Sequence, residues 1–146
     1  MVLVTLAVAV TLSVIGGAWW ARATGPLAPV AMHGRAVSLT GWNLDTARRI
    51  RIDTPRGTLV LPGVRAVDGA EAWLKPWLPP DTPATLHMDT DLTTIDGLPA
   101  YRMRIDGVDV AEAGLRAGVL RVDASTPFRA QPRYAALEEL ADADRR

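Results

Sequence analysis

From Met1 to Ala21 no side chain carries a charge, and from about Val30 the apolar positions change to short alternating runs. About 21 residues at about 1.5 Å each cover roughly 30 Å, the thickness of a bilayer hydrocarbon core, so the first pattern predicts one membrane-spanning helix. The second predicts a β-rich domain, because alternation places successive side chains on opposite faces. Val37-Ser38-Leu39-Thr40, Ile50-Arg51-Ile52-Asp53 and Thr58-Leu59-Val60-Leu61 read as three strands of an antiparallel meander, the last entered through the turn Pro55-Arg56-Gly57. Ala84-Thr85-Leu86-His87-Met88 and Tyr101-Arg102-Met103-Arg104-Ile105 read as a fourth and a fifth. In the fifth, Tyr101, Met103 and Ile105 face one way and Arg102 and Arg104 the other.

Three helices interrupt or follow these strands. Glu71 to Leu78 is a short one, stopped by Pro79-Pro80. Trp73 and Trp77 lie four residues apart on one of its faces, either capping the core or forming an aromatic patch toward a membrane or a protein partner. Asp109 caps a helix over Val110 to Ala117, Glu112 completes a capping box, and Gly118 ends it. Val119 to Val122 returns as extended chain. Pro132 to Arg146 carries Tyr134, Leu137, Leu140 and Ala141 at three-and-four spacing, an amphipathic helix ending in two arginines that suit its dipole.

At the end of the uncharged run, Trp19 and Trp20 suit the lipid headgroup zone, and Arg22 is an anchor able to snorkel. A cleaved signal peptide competes, since Ala21-Arg22-Ala23 fits a cleavage pattern; the missing basic n-region and the long apolar run favour retention. The organisation read from these features is a transmembrane anchor over 1–21, a Gly/Pro linker over 22–29 and a domain over 30–146. A linker so short keeps the domain at the membrane surface.

The chain has 146 residues with sixteen basic and sixteen acidic side chains. Balanced charge supplies no long-range attraction to polyanions, so nucleic-acid binding is not implied. Cysteine is absent, which excludes disulfides and thiolate catalysis. His33 and His87 have no metal-ligating neighbour at a suitable spacing. Asp89, Asp91 and Asp96 offer oxygens to a hard cation, although a solvated acidic loop is the ordinary reading. No glycine loop suited to cradling phosphate occurs. With Tyr101 facing inward and Phe128 in a loop, the strands also lack a stacking platform for bases.

One stretch carries a family resemblance. Asp106-Gly107-Val108-Asp109-Val110-Ala111-Glu112-Ala113, followed by Leu115-Arg116-Ala117-Gly118, resembles the turn and helix after the last barrel strand of staphylococcal-nuclease-like domains. Val67-Asp68-Gly69-Ala70-Glu71 echoes that family's calcium-site loop without its proline, and Asn43-Leu44-Asp45-Thr46 echoes an earlier acidic turn. The resemblance spans about 30–146. It implies an α+β fold: a five-stranded β-barrel of the oligonucleotide-binding (OB) type, a short helix after strand 3 and two C-terminal helices. It also implies calcium-dependent phosphodiester hydrolysis, with Asp45 and Asp68 holding the metal and Glu71 as candidate base.

The same resemblance puts the chemistry in question. Where the family keeps two phosphate-gripping arginines, this chain has Gly63 and Leu98. A guanidinium supplies permanently charged bidentate donors, and each lost donor costs about 3 kcal/mol of transition-state stabilisation by analogy with an oxyanion hole. Arg65 shares the strand parity of Gly63 and is the one candidate substitute, whereas Arg102 and Arg104 lie about 13 Å or more from Leu98 along the strand.

Three readings result. The leading one is a single-pass membrane protein whose catalytically degenerate nuclease-like barrel acts as a structural or protein-interaction accessory subunit of a membrane complex. It needs no cofactor, has the bilayer and proteins as partners, and uses Trp73 and Trp77 for contact. The alternatives are a surface-attached, Ca²⁺-dependent nuclease or phosphodiesterase using Asp45, Asp68, Glu71 and Arg65, and a non-catalytic nucleic-acid-binding barrel. Arg22 and Arg35 favour a cytoplasmic domain by the positive-inside tendency, the resembled family is often exported, and the side stays open.

Overall fold

A computed structural model describes residues 34–146, and the expected anchor at 1–21, with Trp19, Trp20, Arg22 and also His33, lies outside the described residues. Within the described residues no helix is long and apolar enough to cross a membrane. The architecture is α+β, with three helices and several small antiparallel sheets.

The largest sheet has the order β1-β6-β9-β10, formed by β1 (Ala36–Ser38), β6 (Pro83–His87), β9 (Arg102–Ile105) and β10 (Val108–Asp109). A meander joins β2 (Gly41–Leu44), β3 (Ile50–Thr54) and β4 (Gly57–Val60). β5 (Val64–Ala66) pairs with β11 (Leu120–Val122), and β7 (Thr94–Ile95) with β8 (Leu98–Pro99) in a small hairpin. The helices are α1 (Ala70–Trp77), α2 (Val110–Ala117) and α3 (Gln131–Asp144).

The meander is not the one expected. Its first strand is β2, with Trp42 opposite Ile52 and Leu44 opposite Ile50, whereas Val37 of β1 stands opposite Ala84 of β6. Alternation marks both runs as strands but does not say which neighbour each takes. The chain bends between them: the Leu39 amide donates to Thr82 and the Thr40 amide to Asp53, so consecutive residues serve different sheets. The segment after β4 also holds a strand, β5, too short at three residues to show a period.

These ladders form four sheets and, among the described residues, do not close into a barrel. Between the meander and the β8–β9 segment there is one parallel bridge, Val60 to Ala100, reinforced by the Tyr101 amide donating to the Val60 carbonyl at 3.2 Å. The inward residues of β3, β4, β6 and β9 meet in one core in which Ile50, Ile52, Leu59, Leu86, Tyr101 and Met103 are essentially solvent-free. Arg102 and Arg104 take the opposite face, as the alternation predicts. Val60, Ile95 and Ala100 form a second small cluster under the β7–β8 hairpin.

Asp109 caps α2 by accepting the Glu112 amide at 3.0 Å, and Gly118 ends it at φ 74°. The other half of the expected capping box is missing. The Glu112 carboxylate turns instead to the Arg133 guanidinium, which lowers its pKa, and so ties α2 to α3. α3 buries Tyr134, Leu137 and Ala141. Leu140, expected on this face, is 61 % exposed because it falls to one side of the 134–137–141 stripe. On the far side of α3, Asp142 receives Arg121 of β11 at 2.9 Å. Loss of the cap in Asp109→Ala is expected to cost about 1–2 kcal/mol, read as a lower urea midpoint of the full chain with an unchanged urea dependence; an unchanged midpoint would remove the cap from the account.

Candidate functional site

Around the β3–β5–β11 edge the chain gathers two arginines and two aspartates. Arg49 immediately precedes β3, Arg65 lies in the middle of β5, and Asp123 follows β11 immediately. The Asp123 side chain is only 2 % exposed. Its Oδ1 accepts from the Ser125 amide at 3.0 Å, the Ser125 hydroxyl at 2.6 Å and Arg65 Nη2 at 3.1 Å; its Oδ2 accepts from Arg49 Nε at 3.3 Å. Burial works to raise the pKa of this carboxyl, but the bonds from Ser125, Arg65 and Arg49 outweigh it and bring it down to about 2. Arg49 also pairs through Nη1 with Asp96, at the turn between β7 and β8. Two guanidiniums are thus held by two carboxylates.

The residues that the resemblance assigns to calcium are placed differently. Asp45, in the turn after β2, accepts from the amides of Ala47 and Arg49, both at 2.9 Å, and lies 3.7 Å from Arg51 Nε. It acts as the side-chain staple of its own turn. Asp68 is exposed in the turn before α1, and Glu71, in the first turn of α1, stands 3.4 Å from Arg48 Nη2. Arg48 itself closes that loop by donating to the carbonyls of Ala66 and Val67 at 3.0 and 2.6 Å. Among the described residues no three His, Cys, Asp or Glu side chains gather in a way able to hold a metal ion.

The two arginine positions are apolar in their surroundings as well as in sequence. Gly63 has φ 77°, and a Cβ added there would lie 2.3 Å from Cε1 of Phe128 and 3.3 Å from Cδ2 of Tyr134. Those two rings meet edge to face, 5.6 Å apart, and both are buried. Phe128 therefore belongs to the core despite its place in a loop. Leu98, at the start of β8, packs on the small cluster of Val60, Ile95 and Ala100. Arg65, the candidate substitute, is engaged by Asp123 and by the Ser125 hydroxyl at 3.1 Å.

The acidic loop disperses rather than converging. Asp89 receives Arg102 in a two-pronged pair at 2.7 and 3.0 Å, Asp91 accepts the Arg129 amide at 2.6 Å, and Asp96 takes Arg49. His87 Nε2 lies 4.0 Å from Asp89. Trp73 and Trp77 remain neighbours, with ring centroids 5.3 Å apart and planes tilted by 30°. Each is half-buried along an open cleft of about 630 Å³.

No family model matches this chain and no curated protein matches it.

Sequence reasoning did not find Asp123, Arg49 or their pairing. The only local signal is Asp123-Ala124-Ser125, an acceptor two residues before a hydroxyl, which marks a turn. The partner of that turn lies 74 residues earlier, beyond any local pattern.

Proposed function

We propose that this chain is a membrane-anchored, catalytically degenerate relative of staphylococcal-nuclease-like domains, serving as a structural or protein-interaction accessory subunit of a membrane complex. The observation that carries the reading is the packing at Gly63: the position assigned to a phosphate-gripping arginine is filled by Phe128, and the nearest strand arginine is bound to a buried aspartate. A site for a phosphorane-like transition state needs free, preorganised cationic donors. Here the charges are spent on holding turns and strands together.

The OB-type barrel belongs to the same proposal. β1 bends into β2 and so links the four-stranded sheet to the meander, while the Val60–Ala100 bridge brings β4 against the start of β9. On this reading β1/β2, β3, β4, β9 and β6 are the five strands of a barrel whose ladders stay open at the single Val60–Ala100 bridge. Domains of this class are partly open barrels. The same reading takes α1 as its short helix and α2 and α3 as its C-terminal pair.

The test uses the full-length tagged protein in its source membranes. Gentle solubilisation, native gel migration and mass spectrometry of the co-migrating bands are expected to place it in one defined assembly, in stoichiometric amount. The purified chain is expected to leave DNA and RNA uncut with calcium present. Calcium-dependent cleavage abolished by Asp68→Ala would overturn the proposal in favour of a surface-attached nuclease. Salt-sensitive nucleic-acid binding without cleavage would favour the non-catalytic binding barrel.

A further inference from the structure

All three described tryptophans lie at one end of the domain, around α1. Trp73 and Trp77 line the larger cleft together with Pro76, Pro79, Ile105 and Val108, and only Thr82 and Asp106 add polar side chains to its wall. Val108, at the rim, is 43 % exposed, one of two large apolar side chains left so open among the described residues. Trp42 lines an adjoining cleft of about 360 Å³ with Lys75, Leu78, Pro79 and Pro80, so Pro79 borders both. Lys75 is the chain's single lysine. A cluster of half-buried indoles, with exposed prolines and a lysine at the cleft wall, has the chemistry of the lipid headgroup boundary. There an indole meets acyl chains on one side and water on the other, and an ammonium reaches phosphate.

The rest of the chain says which surface lies within reach. Residues 1–21 are uncharged and end in Trp19-Trp20, the other two tryptophans of the five. Between Trp20 and the first described residue, Gly34, the connecting residues span at most about 45 Å fully extended. The chain enters the domain where the Gly34 amide meets the Leu86 carbonyl, and it reaches the cleft end where the Leu39 amide meets Thr82. Those points are about 17 Å apart at about 3.3 Å per residue. The connecting segment can therefore cover the offset without holding the cleft away from the bilayer. Tethering also raises the effective concentration of a contact that would be weak between free molecules.

We infer that the face around α1, centred on Trp42, Trp73 and Trp77, docks on the headgroup boundary of the bilayer that carries the N-terminal segment. This rests on the anchored reading proposed above.

The test reconstitutes the full chain carrying Trp19→Phe and Trp20→Phe in phosphatidylcholine vesicles with plain or mid-chain-brominated acyl chains. With excitation selective for indole, only Trp42, Trp73 and Trp77 then emit. Emission in brominated vesicles is expected to be roughly twofold lower than in plain ones, because indoles at the headgroup boundary touch the upper acyl chains. Adding Trp73→Phe and Trp77→Phe leaves Trp42 as the reporter and is expected to weaken the docking, bringing its emission in the two vesicle types closer together with the melting transition retained. Equal emission in the two vesicle types, with the chain recovered in the vesicle pellet after an alkaline wash, overturns the docking and leaves the anchor intact. Quenching that is absent in vesicles but replaced by shielding in the native assembly would assign the face to a protein and equally overturn it. A chain that washes off the vesicles overturns the anchored reading and the docking with it.

Discussion

Asp123→Asn is expected to lower the melting temperature of the full chain in mild detergent by on the order of 12 °C or more. The carboxylate is 2 % exposed and holds Arg49 Nε, Arg65 Nη2 and both donors of Ser125. An amide cannot balance two guanidiniums, and Arg49 is itself only 12 % exposed. Removing one partner of a buried ion pair costs about 3–5 kcal/mol because the remaining charge stays desolvated. At roughly 4 °C per kcal/mol for a domain of this size, that gives the stated shift. A change of a degree or two would mean that Asp96 alone suffices for Arg49 and that the cluster contributes little.

The same residue sets an acid limit, and its sign can be worked out. The folded-state value of about 2 lies below the ordinary 3.8. The ionised form is therefore favoured by folding, and its contribution is complete above about pH 4 and lost as the pH falls through about 2. At about 1.4 kcal/mol per unit the shift corresponds to about 2 kcal/mol. Urea midpoints of the parent chain are expected to fall between pH 4 and pH 2, and Asp123→Asn to show a shallower decline over that window. Parallel declines would assign the acid sensitivity to other carboxylates, such as Glu112, which Arg133 also holds below its ordinary value.

Much of this fold was legible because its signals are local. The alternation of β9, the Asp109 cap, the Gly118 stop and the proline-limited α1 all depend on neighbours within a few residues. What stayed hidden depends on partners far along the chain. The meander begins at β2 because Trp42 and Leu44 find Ile52 and Ile50, and nothing within Val37–Thr40 or Gly41–Leu44 states that choice. The resemblance alone names Asp45, Asp68 and Glu71, and each has its own local setting: a turn staple, an exposed loop and an arginine from β3's approach. Phe128 looked like a loop residue because only the fold brings it over Gly63.

That contact leads to the second large effect. Gly63→Ala is expected to destabilise by about 2–5 kcal/mol: about 1–2 for a Cβ at positive φ, and about 1–3 for overpacking against a ring whose Cε1 stands 2.3 Å from the new atom. Gly69 supplies the control, since its φ of 83° imposes the same backbone strain while nothing lies within 4 Å of its added Cβ. Gly69→Ala should cost only the first part. In a Phe128→Ala background the Gly63→Ala penalty should fall to the Gly69 value, a coupling that a double-mutant cycle reads directly. Arginine introduced at 63 and 98 together should then yield no calcium-dependent cleavage, because the guanidinium at 63 would have to displace a buried aromatic pair before reaching any phosphate. Equal penalties at 63 and 69 would mean that Phe128 yields at little cost, and the structural obstacle to a nuclease at this site would be gone.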